Sequence, residues 1–160
     1  MNKLVLLLAI AVTMMSIQNV SAVQNGDEIS IIRKGTAQHI KGPAKTFTGD
    51  VDVEFSIPKH DKSRMSGGLV TFQPGARSHW HTHPFGQVLI ITAGEGRVQQ
   101  WGKPVQDVYP GDVVWFPAGV KHWHGASPTQ SMSHYSIQEE KNGKVADWME
   151  EVTDDQYLGR

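Results

Sequence analysis

The tightest constraint on this chain is the way four histidines are set among glycines and prolines. Gly75-Ala-Arg-Ser-His79-Trp-His81-Thr-His83-Pro-Phe-Gly-Gln87 is answered about forty residues later by Gly111-Asp-Val-Val-Trp-Phe-Pro117-Ala-Gly119-Val-Lys-His122. Along an extended strand successive side chains point to opposite faces, so His81 and His83 project the same way and two imidazoles can converge on one ion. Gln87 and His122 complete a divided metal site. Imidazole suits Mn, Fe, Ni and Zn alike, and a glutamine carbonyl adds a hard, neutral oxygen. His79 shares the parity of His81 but lies beside the turn, which favours an exposed or cavity-mouth position over ligation.

The surrounding sequence reads as short strands. Val51-Asp-Val-Glu-Phe-Ser-Ile57 alternates cleanly, and runs at 68–72, 88–92, 97–101, 112–116 and 131–137 follow it. Pro58, Gly94, Gly96, Gly102, Pro104, Pro110-Gly111 and Pro128 punctuate them. This pattern predicts an all-β fold, a small antiparallel barrel or jelly roll. Val145, Trp148, Met149 and Val152 then stand at i, i+3, i+4 and i+7, which predicts a short amphipathic helix over 145–157. Ile29-Ser-Ile-Ile32 is a candidate edge strand.

At 160 residues the chain suits one domain with one sizeable core. Its net charge of −1 provides neither a basic footprint for nucleic acid nor a polybasic membrane anchor. Lys3 followed by the apolar run 4–12 and by Val20-Ser-Ala22 reads as a signal peptide cut after Ala22, because the run is too short to span a bilayer. Export to the periplasm or beyond follows, with no stable membrane association after cleavage. With no cysteine, stability must come from the core. The resulting division is 1–22 signal peptide, 23–45 N-terminal arm with an edge strand, and 46–160 the folded domain.

Two further histidines have the right parity to join the site. His124 stands two residues past His122 and faces the same cavity if the strand persists. His134 shares a strand face with Met132, Ser136 and Gln138. His124 is a candidate acid or base, and His134 and Gln138 line the pocket if their face is internal. Trp80, Trp115 and Trp123 alternate with the site residues and read as outer-layer packing.

Gly75, five residues, His81-x-His83, three residues, Gln87, six residues and Gly94 resembles the first cupin motif. Gly111, five residues, Pro117-x-Gly119, two residues and His122 resembles the second. Gln87 stands where cupins usually carry Glu, and Ala126 where an Asn often closes the motif. Trp80-His-Thr-His-Pro84, Gly86-Gln87, Pro110-Gly-Asp-Val-Val-Trp-Phe116, Lys121-His-Trp-His-Gly-Ala126 and Asp147-Trp-Met-Glu150 are similar to the bacterial cupin hydroxynitrile lyases, from about Lys41 to Tyr157. That resemblance implies a single-domain cupin with manganese on His81, His83, Gln87 and His122, in a homo-oligomer (dimer or tetramer). It also implies a small-molecule substrate surrounded by Gly68, Val70, His124, His134 and Gln138, with His124 or His134 as the base that begins cyanohydrin cleavage. The competing readings are a cupin isomerase or tautomerase on sugars or uronates, for which Arg64, Arg77, Arg97 and Lys121 are the candidate carboxylate binders, and a non-catalytic binding cupin. A dioxygenase is the weaker alternative, since such sites commonly carry Glu.

Overall fold

The computed structural model describes residues 28–160. The segment read as a signal peptide, residues 1–22, lies outside the described residues. Thirteen strands run in chain order: β1 (His39–Lys41), β2 (Phe47–Thr48), β3 (Val51–Ile57), β4 (Met65–Phe72), β5 (Arg77–Ser78), β6 (His81–Thr82), β7 (Gln87–Gly94), β8 (Gly96–Gln100), β9 (Gln106–Val108), β10 (Val113–Phe116), β11 (His122–Ala126), β12 (Met132–Glu139) and β13 (Asp147–Trp148). One helix, α1 (Asp154–Leu158), follows them.

The strands form two antiparallel sheets that face each other. One has the order β1-β3-β4-β12-β7-β10. The other is centred on β11, flanked by β5 and β6 on one side and by β8, then β9, on the other. β2 pairs with β5, and β13 with β6. β5 and β6 are in effect one strand interrupted at His79 and Trp80, whose amides bond instead to the carbonyls of Thr46 and Glu150.

Alternation along the strands sends Val51, Val70, Phe72, Leu89, Ile91, Val98, Phe116 and Met132 into the space between the sheets, where they form the main core. A second cluster lies outside the β11 sheet, where Trp80 and Trp123 are fully buried with Val152 and Tyr157. Trp80 and Trp123 are thus outer packing as expected, whereas Trp115 is 57% exposed. With Ile90, Val113 and Tyr135, Trp115 forms an apolar stripe on the convex face of the first sheet; the register pairs Ile90 with Val113 and with Tyr135.

Two expectations for chain segments need correction. The edge strand is His39–Lys41, paired to β3, and residues 29–32 carry no strand. The helix occupies only Asp154–Leu158, not 145–157. Asp147 and Trp148 are spent on strand pairing with β6, and the Val145 carbonyl accepts a bond from His83, so tertiary pairing overrides the helical period. The helix starts where Thr153 and Gln156 form a capping box and stops at Gly159 in the left-handed region. Tyr157 Oη donates to the Ala126 carbonyl at 2.8 Å, and the buried Arg77 donates to the Val152 carbonyl and to Asp154, which pins the helix over the outer cluster.

Candidate metal centre

Three chain segments meet at one end of the barrel. β6 delivers His81 and, just past its end, His83. β7 begins at Gln87, and β11 begins at His122, opposite His81. The sharp entry into β7 needs Gly86, whose φ is +88° and whose position would place a Cβ 2.6 Å from the Phe116 carbonyl oxygen.

Among the described residues, His81, His83 and His122 form a buried group in which one ring nitrogen from each lies within 4.8 Å of the others. Their protonation pattern follows from the backbone. Nδ1 of His81 lies 2.8 Å from the His79 carbonyl, Nδ1 of His83 2.7 Å from that of Val145, and Nδ1 of His122 2.8 Å from that of Val120. A carbonyl only accepts, so each Nδ1 carries the proton and each Nε2 presents a lone pair.

Three lone pairs therefore converge with no donor among them. His83 Nε2 is buried without a hydrogen-bond partner among the described residues. Gln87 donates its amide Nε2 to Ser136 Oγ at 2.8 Å, and Ser136 Oγ donates in turn to Gln138 Oε1 at 2.8 Å. This relay turns Gln87 Oε1 toward the cluster, 3.1 Å from His122 Nε2. Two acceptors facing each other in a buried site is an arrangement that a cation resolves. The donor set fits a divalent ion.

Burial first, and then the neighbouring histidines, hold His81 well below the usual histidine range; burial lowers His83 and brings His122 down to about 4. All three are neutral near pH 7 and so able to act as ligands. Phe116 stacks on the His122 ring at 3.8 Å, and Trp148 lies over His81 at 4.6 Å, which fixes both imidazoles in place.

A cavity of about 120 Å³ opens beside this group, walled by His81, His83, Gln87, His124, Val70 and Gln138, and also by Phe47, Val145 and Trp148. His124 is a wall residue as expected. Its Nδ1 is 3.2 Å from His134 Nε2, which leaves Nε2 as the nitrogen free for the cavity. His134 itself is fully buried, stacked on Phe72, and reaches the cavity only through His124. Gly68 lines an adjoining compartment and not this one. His79 is buried, neither exposed nor at the cavity mouth, because the break in the β5–β6 strand ends the parity it shares with His81. Sequence reasoning placed Ser136 on the right face without its role in orienting Gln87. It missed Phe47, Val145 and Trp148 as walls, since nothing local reveals that residues 145–148 return to β6.

Burial also lowers His134 to about 4, with the Tyr135 backbone opposing. Between that value and the ordinary 6.5, the unfolded chain binds a proton that the folded chain does not. Stability is therefore fully present above about pH 6.5 and is lost as pH falls toward 4, by about 3 kcal/mol for this one group. Replacing His134 with Phe, which keeps the stacking, is expected to flatten chemical-denaturation stability over that pH interval by about one proton's worth of slope. An unchanged slope would refute this assignment.

A family model described as the cupin domain matches residues 68–137. The chain is 53% identical over 129 residues to an (R)-mandelonitrile lyase of Granulicella tundricola, covering 81% of this chain and 98% of that protein. A solved cupin-like protein of Thermotoga maritima is 38% identical, with a TM-score of 0.71 over 81% of this chain and 96% of its own. A polyketide cyclase of Streptomyces resistomycificus, 14% identical with a TM-score of 0.62 over 82% of this chain and 92% of its own, shares the fold alone.

Proposed function

This chain belongs to the cupin family, and from that premise we propose that it is an exported, metal-dependent lyase that cleaves cyanohydrins or related small hydroxy compounds. The observation that carries the proposal is the 53% identity to an (R)-mandelonitrile lyase over nearly that protein's whole length. The site geometry supports it, with a neutral four-donor cluster beside one histidine that has a free nitrogen.

His81, His83, Gln87 and His122 would hold the metal, for which manganese is our choice and Fe, Ni or Zn fit the same donors. Because all four ligands are neutral, a bound divalent ion keeps its full double charge and acts as a Lewis acid toward a substrate oxygen. The chain's own residues do the rest. His124 Nε2 accepts the hydroxyl proton, the C–O bond becomes a carbonyl, and the bond to the nitrile carbon breaks with its electron pair leaving as cyanide. The same proton then passes from His124 to cyanide, so the products are an aldehyde or ketone and HCN. His134 holds the His124 ring in place from behind. Gln138 has its Oε1 occupied by Ser136, which leaves its amide N–H groups to receive a substrate acceptor.

The uronate reading is weakened by its own candidates. Arg64 pairs with Glu139, Arg77 with Asp154, Arg97 with Asp107 and Lys121 with Glu150, and none lines the cavity. The convex stripe of Ile90, Val113, Trp115 and Tyr135 supports a homo-oligomer, since an exposed apolar patch of this kind marks a contact surface. Periplasmic or secreted location follows from the N-terminal sequence.

The test uses the purified mature protein and reads metal content, mass in solution and cyanide release from mandelonitrile. About one metal per chain, a multiple of the chain mass and release that stops on chelation are the expected results. Metal retained without any release would move the reading to a binding cupin, and a single-chain mass would remove the oligomer.

A further inference from the structure

The cavity beside the histidines adjoins a second compartment of about 350 Å³. Val70, Ser136, Gln138 and Val145 line both, so the two spaces share one wall. The outer compartment differs in chemistry. Its far side is Val53, Phe55, Ile57 and Pro58, and its charged wall residue, Lys59, is tied to Glu140 at 2.8 Å.

The cause lies in β3. Val51 is buried in the core and Val53 packs against it; the register with β4 then slips between Glu54 and Ile57, and past this bulge Phe55 and Ile57 line the outer compartment beyond the point where the core ends. Phe55 is left 43% exposed. The adjacent Gly67 and Gly68 leave bare backbone, where an added Cβ would sit 1.9 Å from the Ser136 carbonyl oxygen and 2.0 Å from that of Glu54. A mostly apolar chamber, with Gln38 and Ser66 also in its lining and its one charged side chain paired, therefore adjoins a chamber of about 120 Å³, which has room for a hydroxyl-bearing carbon and little beyond its immediate substituents.

We propose that the outer compartment is a specificity subsite for an extended apolar arm, and that the substrate is an aryl-alkyl or long-chain hydroxy compound with Phe55 and Ile57 as the residues that select it. This rests on the proposed function only in placing the hydroxyl end at the histidines. The arm carries no charge, because the one cation at the wall is already neutralised.

The experiment is calorimetric binding of benzyl alcohol, 2-phenylethanol, 3-phenylpropanol and 4-phenylbutanol to the manganese-loaded full chain, with ethanol as the reference. Affinity is expected to rise roughly three- to fourfold per added methylene as the arm enters the outer compartment. Phe55→Asp and Ile57→Asp are expected to flatten that rise, and Phe55→Asp leaves the buried core untouched because Phe55 is outside it. A flat series in the unaltered protein, as when the chain's own arm or a second copy fills the space, would overturn the proposal, and so would equal slopes in folded variants. Cyanide release is not read at any step, so a failure of the lyase reading is seen separately.

Discussion

Replacing His122 with Ala is expected to abolish bound metal and cyanide release together. His122 is the proposed ligand that joins the two halves of the site: it pairs with His81 across β11 and β6, and its Nε2 faces Gln87 Oε1 at 3.1 Å. Its removal leaves His81, His83 and an amide oxygen with one quarter of the donor set missing. Changes to groups that merely orient a ligand cost about 10- to 100-fold in metal affinity, and loss of the ligand itself must exceed that. The measurement is metal retained per chain after dialysis, with circular dichroism to show that the barrel persists. A folded variant that keeps stoichiometric metal and full release would sink the assignment of the centre.

The second large effect is predicted for His124→Ala, which should lower kcat by about 10²- to 10⁴-fold while metal content stays at the wild-type level. The contrast with His122 is the point of the experiment, since His124 lines the cavity but stands outside the group of converging nitrogens. Burial first, and then His134 and the other site histidines, keep His124 well below 6.5, so it is already the free base at neutral pH. The sign follows: release should hold as pH falls through 6.5 and decline only further down, where the depressed group takes up its proton. A kcat that is unchanged in the variant, or that halves in the wild type near pH 6.5, would exclude His124 as the proton acceptor.

Much of this was legible in the sequence because its period is short. Alternation along a strand is a two-residue rule, and it placed His81 beside His83, put Gln138 in the wall with His124, and turned Trp80 and Trp123 outward. It failed where the strand is interrupted. His79 has the parity of a ligand but lies at the break between β5 and β6, and parity does not survive a break. The helical reading of 145–157 failed for a different reason. Spacings of three and four residues describe which side chains share a helix face, but Val145 and Trp148 are held by bonds to β6 and to His83, sixty and more residues away.

The amino-acid sequence by itself determined the all-β fold and the nearness of His81, His83 and His122, because these depend on residue type and local spacing. Only the tertiary structure decided which nitrogen each donor presents, since that is set by the backbone carbonyls of residues 79, 120 and 145. It also decided that His134 stands behind His124 and not beside the cavity, that Ser136 turns the Gln87 amide, and that β3 leaves Phe55 facing a second compartment. For His83, Gln87, His134 and the cavity walls the physical reason is that the partners come from different strands, and periodicity along one strand carries no information about the other. For His81 and His122 the carbonyl is only two residues away, and what residue spacing does not give is the backbone and ring conformation that turns Nδ1 onto it.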